Sequence, residues 1–404
     1  MQTTLTPLQM EAPDIAEANA ILRSCVHCGF CTATCPTYQL LGSELDGPRG
    51  RIYLIKDMLE SGTATDKTRL HLDRCLTCRA CETTCPSGVQ YGRLIDIGRE
   101  LVEEHAPRPL HQTLMRKALL RVLPYPARLK VALALGRLFK PLLPKRLAGK
   151  IPAQQSALPP LAACSHARHM LVLEGCVQPL STPNTNAAAA RVLDRFGIAL
   201  INAPAAGCCG ALNQHLSDSA GARDMMRNNI DAWWPYVERG TEAIVVSASG
   251  CGLMVKGYGA ALRDDAKYAE KAARISALAL DLVEVLSRED LSAFAHIGQG
   301  LRVAYHSSCT LQHGQKLGGT VESLLRSCGF ELTDVANSHL CCGAAGTYTL
   351  TQPELSEQLL GNKITALEAG QPEVIVTANV GCQMHLASAG KVPVRHWIEL
   401  LAAH

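Results

Sequence analysis

Eighteen cysteines in 404 residues is far above the ordinary share, and most fall in short, ordered clusters. Two clusters near the N-terminus lie on one grid. "CVHCGFCTATCP" carries Cys25, Cys28, Cys31 and Cys35, and "CLTCRACETTCP" carries Cys75, Cys78, Cys81 and Cys85. Both read C-x2-C-x2-C-x3-C-P. Iron–sulfur clusters are held by cysteine thiolates, four to a cubane, and in this spacing three cysteines wrap one cluster while the fourth ligates the other. The short gaps let backbone N–H groups point at the sulfides. The closing prolines, Pro36 and Pro86, keep the chain from running on as regular helix. Two [4Fe-4S] clusters are therefore expected, one on Cys25, Cys28, Cys31 and Cys85, the other on Cys75, Cys78, Cys81 and Cys35. Structural zinc is the alternative, but zinc favours paired C-x2-C knuckles with four ligands. A third cysteine at the same gap, twice over, has no place there. His27, inside the first motif, is expected to be an exposed loop residue, because thiolates already fill the iron.

The C-terminal part holds nine more cysteines. Eight form two sets of four: Cys176, Cys208, Cys209 and Cys251, then Cys309, Cys341, Cys342 and Cys382. Each set contains an adjacent pair followed by glycine. Such a pair can present two thiolates to one cluster, and the glycine lets the backbone come close. The functional reading is a third iron–sulfur site in at least one set; the plainer reading is a tight turn with buried thiols. Cys328 and Cys164 are expected to be inert. His306, His313, His339 and His385 lie near the second set, where they could tune a potential or carry protons, or simply be satisfied core or surface residues.

The chain around these sites is an ordinary globular one, 47% apolar and 19% charged, and a net charge of +3 is too small to argue for nucleic acid. The N-terminus lacks the basic start and apolar run of a secretory signal, so a reducing cytosol is expected and a disulfide framework is not. No apolar run is long enough to cross a bilayer. No GxGxxG follows a strand and no P-loop is present, so a nicotinamide, flavin or nucleotide site is not expected. Electrons must then come from a partner.

The elements that must position the thiols can be read coarsely. Between the two N-terminal motifs, Ile52, Ile55 and Leu59 recur at helical spacing and Gly62 can end the helix. "GRLIDIGRELVEEHAPRP" predicts another helix that stops before Pro107. From His105 to Leu173 there is no Asp or Glu but there are twelve Lys or Arg. That stretch predicts short amphipathic helices broken by prolines. It suits an anionic membrane surface or an acidic partner; the plainer reading is a linker that packs its leucines on the next domain. The last part repeats itself: Cys176/Cys309 and Cys208/Cys341 are each 133 residues apart, and Cys251/Cys382 are 131 apart. Each copy predicts strands alternating with helices, with three strands ending at the cysteines, and hence a largely parallel sheet whose carboxyl edge gathers the thiols. The fold class is α+β and multidomain. A helical domain with two [4Fe-4S] clusters spans 1–105, a basic, proline-rich helical linker 106–168, and two tandem α/β cysteine-rich repeats 169–290 and 291–404.

With these residues in place, the chain resembles the cysteine-rich proteins related to heterodisulfide reductase, which carry a ferredoxin-like domain and Cys-Cys-Gly (CCG) repeats. Within that group, "CVHCGFCTATCPTYQLLGSELDGPRGRIYLIK", "DRCLTCRACETTCPSGVQY", "NNIDAWWP", "CTLQHGQKL", "SHLCCGAAGTY" and "VRHWIEL" are similar to the iron–sulfur subunits of glycolate oxidases, also called glycolate dehydrogenases. The resemblance spans nearly the whole chain. It implies a relay with no catalytic residue of its own, working with FAD-containing glycolate oxidase subunits that oxidise glycolate, and D-lactate more slowly. It implies a membrane electron acceptor, a quinone, and a peripheral place on the cytoplasmic face of the inner membrane. One departure stands out. The heterodisulfide-reductase relatives end each repeat in C-x-x-C, whereas here the endings are "CGLM" (Cys251, Met254) and "CQMH" (Cys382, His385). A fifth thiolate is absent, so a four-ligand cluster or an emptied site stays open. The competing readings are a self-contained thiol/disulfide reductase, a relay for another 2-hydroxy acid or glycerol-3-phosphate dehydrogenase, and a zinc scaffold.

Overall fold

The alternation of apolar and polar residues in the first hundred positions makes helices that bury one stripe each. The computed structural model describes residues 1–142, 144, 148–152, 155–156, 158–159 and 166–403, so the expectation for Cys164 lies outside the described residues. Helix α1 is Pro13–Ser24, α2 Phe30–Ala33, α3 Pro36–Leu41, α4 Pro48–Ser61, α5 Asp66–Asp73, α6 Ala80–Thr83 and α7 Tyr91–His105. Proline opens α1, α3 and α4, where a missing N–H costs nothing and φ is already helical. Helix α4 ends as anticipated: Gly62 is left-handed (φ 67°) and its N–H reaches the Met58 carbonyl. Ala18, Ile21 and Leu22 of α1, Ile52, Ile55 and Met58 of α4, and Leu94, Ile95 and Val102 of α7 form one core. Cys25, Cys75 and Cys81 join that core.

The linker forms α8 (Leu110–Val122) and α9 (Pro126–Leu138), separated around Pro124. Helix α8 buries nothing fully and α9 buries only Leu129. Arg108 and Arg116 tie the start of this region to Asp73, at 2.5 and 3.1 Å. Nine of the sixteen exposed large apolar side chains among the described residues lie between Leu110 and Leu142. The plainer reading of the linker, leucines packed on the next domain, therefore fails for most of its apolar residues. No described helix is long and apolar enough to cross a membrane.

The two repeats carry matching sheets. The first has β1 (Arg168–Val172), β2 (Ile198–Asn202), β3 (Ile244–Val246) and β4 (Ala279–Asp281), in the order β2-β1-β3-β4. The second has β5 (Arg302–His306), β6 (Glu331–Leu332), β7 (Val374–Thr377) and β8 (Val394–His396), in the order β6-β5-β7-β8. Every pairing is parallel. The central strands β3 and β7 are buried throughout, as parallel strands covered on both faces must be. Each sheet has four strands, not the three expected, because β4 and β8 are short edge strands whose pattern merges with the next helix. The strands also stop short of the cysteines. Cys251 and Cys382 lie on the helices Ser249–Lys256 and Val380–Ala387 that follow β3 and β7. The carboxyl ends of the two sheets meet: Ser249 N–H donates to the Ala378 carbonyl at 2.9 Å, the Ser249 and Ser308 hydroxyls are 2.8 Å apart, and His396 Nε2 sits 2.8 Å from the Ser247 carbonyl.

The N-terminal domain is locked by one close approach. A Cβ on Gly50 would collide with the Glu44 carbonyl and come within 2.8 Å of the Leu45 Cα. Backbone cannot retreat as a flexible side chain can. We expect Gly50→Ala to destabilise the protein by about 1–3 kcal/mol, read as a lowered thermal midpoint.

Candidate metal centres

The two N-terminal motifs have the same backbone. Each places its third cysteine on a one-turn helix, Cys31 on α2 and Cys81 on α6. The residue before the second cysteine is left-handed in both, His27 at φ 57° and Thr77 at φ 51°. So is the residue after it, Gly29 at 86° and Arg79 at 60°. Non-glycine residues rarely accept this conformation, and its recurrence marks a loop shaped by what it must wrap. The helical turns face each other, with Thr84 Oγ1 donating to Thr34 Oγ1 at 3.2 Å.

This arrangement interleaves the thiols. One small cavity is lined by Cys25, Cys28, Cys31 and Cys85, together with Cys81. A second is lined by Cys35, Cys75, Cys78 and Cys81. The last cysteine of each motif thus lines the other motif's cavity. Cys28 is exposed and Cys75 and Cys81 are buried. Four thiols around one cavity suit a cubane in number and chemistry.

Several polar groups around these thiols escaped the sequence reading. Arg51 is 1% exposed; its Nε donates to the His71 carbonyl at 2.7 Å and its Nη2 to Thr37 Oγ1 at 3.1 Å. Burial works against its charge, but Tyr91, the Cys75 and Cys35 thiols and Asp46 outweigh it and raise its pKa. Arg99 donates to the Leu72 and Cys75 carbonyls. Asp46, 1% exposed, receives His71 Nδ1 at 2.9 Å and Arg74 at 3.0 Å. Buried cations beside a thiolate set offset its negative charge. The alternating charges of "SELDGPRGR" between the motifs were the available signal. His27 departs from expectation: it is half-buried, its ring packed edge-on against Tyr53 at 4.5 Å. The left-handed turn rolls it back onto α4.

The repeats gather their thiols as well. Cys208 is hydrogen-bonded by Cys176 and Cys209, and these two thiols lower its pKa. Cys209 in turn contacts Cys251. In the second repeat Cys309 and Cys341 sulfurs are 3.8 Å apart, Cys341 adjoins Cys342, and Cys342 adjoins Cys382. The plainer alternative of a tight turn is present too. The glycines after the pairs are left-handed, Gly210 at φ 91° and Gly343 at φ 89°, and a Cβ on Gly343 would sit 2.8 Å from the Ser356 carbonyl. Turn and thiol cluster are one construction. A cavity of about 1000 Å³ lies between the sets, touched by Cys176, Cys208, Cys209 and Cys251 on one side and Cys309, Cys341 and Cys382 on the other.

Cys328 is fully buried in the shared core of the two sheets, away from these sets. The four histidines separate. His313 lies between Thr83 Oγ1, at 3.0 Å, and the His339 carbonyl. His385 meets Ser356 Oγ at 3.2 Å, and burial lowers its pKa to about 4. His339 is half-buried. His306 is 2% exposed and neither ring nitrogen has a hydrogen-bond partner. The N-terminal domain docks on this repeat: Tyr348 Oη donates to the Arg74 carbonyl at 2.9 Å, and Leu76 and Cys78 pack with Cys309, Cys341 and Leu359.

Fold and site together define a class, a dicluster iron–sulfur domain joined to tandem cysteine-rich domains. The 4Fe-4S dicluster domain family matches residues 21–89, and the cysteine-rich domain family matches residues 170–256 and 303–387. A glycolate oxidase iron-sulfur subunit of Escherichia coli (strain K12) is 57% identical over 401 residues, 99% of this chain and 98% of that protein. A probable glycolate oxidase iron-sulfur subunit of Bacillus subtilis (strain 168) is 30% identical, over 94% of this chain and 93% of that one. The chain belongs to the family of glycolate oxidase iron–sulfur subunits. Lactate utilization protein A of Geobacillus thermodenitrificans (strain NG80-2) is 31% identical over 56% of this chain and 95% of that protein. The crystal structure of a hypothetical protein from Helicobacter pylori shares the fold, with a TM-score of 0.58 at 10% identity over 97% of this chain and 72% of that one.

The glycine of the second Cys-Cys-Gly turn offers a direct check. Gly343→Ala forces a left-handed alanine against helix backbone, and we expect a loss of roughly 2 kcal/mol or more. Gly361, on the same helix as Ser356 with nothing within 4 Å of its would-be Cβ, is the control. Gly361→Ala should be neutral or stabilise by up to about 1 kcal/mol. Equal thermal midpoints for the two variants would contradict this account.

Proposed function

We propose that this chain is the electron-relay subunit of a glycolate-oxidising complex. One observation carries the reading: the eight N-terminal thiols line two adjoining cavities, with Cys81 between them, and the last cysteine of each motif lines the other motif's cavity. That supports Cys25, Cys28, Cys31 and Cys85 as the ligands of one [4Fe-4S] cluster and Cys75, Cys78, Cys81 and Cys35 as those of a second. When bound, such clusters take up and release single electrons. A further iron–sulfur cluster belongs in the repeats, where Cys176, Cys208, Cys209 and Cys251 form the all-thiolate set.

Substrate chemistry lies with FAD-containing glycolate oxidase subunits, which oxidise glycolate to glyoxylate and also accept D-lactate. The exposed Cys28, flanked by the exposed Val26 and Phe30, offers the surface at which such a partner can dock. The acceptor is a membrane quinone, and the chain works peripherally on the cytoplasmic face of the inner membrane. Helices α8 and α9 support that placement. They expose Leu114, Val131, Leu135 and Leu138 together with Lys117, Arg121 and Lys130, in a stretch without a single acid. Apolar side chains beside cations and no anions suit an anionic lipid surface.

Two experiments test this. In the assembled complex, Cys28→Ser and Cys78→Ser should each lower dye-linked glycolate oxidation at least a hundredfold while glycolate still bleaches the partner's flavin. Full dye-linked activity in both variants would falsify the relay role, and thiol-dependent turnover by the isolated chain would favour a self-contained reductase. Separately, reversing Lys117, Arg121 and Lys130 to Glu should weaken binding to phosphatidylglycerol vesicles at least tenfold in flotation. Unchanged flotation would remove the membrane role of the linker.

A further inference from the structure

The two repeats differ at one position that matters chemically. Cys176 and Cys309 correspond, so the residue three before each corresponds as well: Leu173 in the first repeat, His306 in the second. Leu173 is 2% exposed and packs in the apolar core of its repeat. His306 ends β5, paired with Thr377 of β7, and is just as buried. An imidazole placed where its counterpart is leucine should cost free energy unless its nitrogens are used. Neither is used by any protein group: Nδ1 and Nε2 both lack a hydrogen-bond partner.

What His306 does face is sulfur. One of its ring nitrogens, Cys342 Sγ and Cys382 Sγ all lie within 4.8 Å of one another, and all three residues are buried. Among the described residues no other three cysteine, histidine or acidic side chains converge so closely. That separates this site from the rest. Donors that share one ion must crowd around it, and here an imidazole stands among the thiols, which the first repeat, with Leu173 at that place, does not offer. Tetrahedral ligands at zinc distances are roughly 3.5–3.8 Å from each other. Cys341 supplies a further thiol, in contact with Cys342. Asn379 Nδ2 donates to Cys382 Sγ at 3.4 Å and Gly343 N–H to Cys341 Sγ at 3.4 Å, the outer hydrogen bonds that orient thiolate ligands. His385 stands where the relatives' final C-x-x-C cysteine would be, but it is engaged with Ser356.

We propose that the second repeat holds one thiophilic divalent cation of the zinc class, ligated by His306, Cys342, Cys382 and Cys341. The site is distinct from the N-terminal cubanes and from the all-thiolate first repeat. It stands whether or not the chain draws its electrons from glycolate oxidation. A mixed imidazole–thiolate tetrahedron with no redox change is a structural joint. It pins the end of β5 to the Cys-Cys-Gly turn and to the helix after β7, the face on which the N-terminal domain docks.

The test uses the full chain, purified anaerobically, with zinc and iron counted per chain. The wild type should retain about one zinc through mild chelation. His306→Leu, which installs the first repeat's own residue, should lose at least nine-tenths of that zinc with its iron count unchanged. His306→Cys should keep it. Zinc absent from the wild type, or equally retained by His306→Leu, overturns the proposal. Should His306→Leu fail to fold, cobalt-loaded wild type and His306→Cys decide it. Exchanging a nitrogen for a sulfur donor should move the cobalt d–d bands to longer wavelength, and superimposable spectra overturn the assignment.

Discussion

Crowded thiols cannot all ionise in a buried space, and the rest of this structure follows from that constraint. Burial raises the pKa of Cys78 and Cys81; the Cys341 thiol and burial raise that of Cys309, and at Cys342 the Cys341 thiol pulls downward but the Cys382 thiol and burial outweigh it. A cation at each site would replace the protons that otherwise keep these groups neutral. The protein contributes positive charge of its own. Arg51 and Arg99 stand behind the N-terminal thiols, and Lys363, 3% exposed, stands near the second repeat's set with its ammonium hydrogen-bonded to the Asn337 carbonyl at 2.8 Å. Each is held by backbone carbonyls, so the charge is fixed in place rather than left to a mobile side chain.

The domains are arranged around the same constraint. Cys28 reaches the surface at one side of the N-terminal domain, while Cys78 lies at its junction with the second repeat. The two sheets meet at their carboxyl ends, so both Cys-Cys-Gly turns look into one cavity. The linker serves two neighbours at once. Leu129 and Leu133 of α9 wall that cavity, and Val131, Leu135 and Leu138 point to the outside of the same helix. A helix that buries one narrow stripe and exposes apolar side chains elsewhere is incomplete without a further surface.

Much of this was legible beforehand, for identifiable reasons. Cysteine spacing is rigid information, because a short loop around a metal leaves few alternatives; hence the twin motifs were legible as one dicluster domain. Helices α4 and α7 followed from their apolar spacing and from Gly62. The repeat followed from equal offsets between cysteines. The edge strands β4 and β8 did not, because three residues that run into a helix carry no periodicity. His27 was misplaced because the left-handed turn that folds it onto Tyr53 is not encoded in its residue type. Arg51 and Asp46 were missed because a charged residue in a helix or turn reads as solvated until packing buries it.

The sequence by itself determined which residues can bind metal and how they are grouped, since ligand chemistry and loop length are local properties. It also determined the α/β character of the repeats through alternating strand and helix patterns. Only the tertiary structure decided which thiols share a cavity and which charges lie behind them. It alone separated His306, with two unpaired nitrogens beside two sulfurs, from His313 and His385, which have partners elsewhere. The physical reason is distance: these groups are tens to hundreds of residues apart along the chain, and their interactions exist only after the sheets and helices have packed.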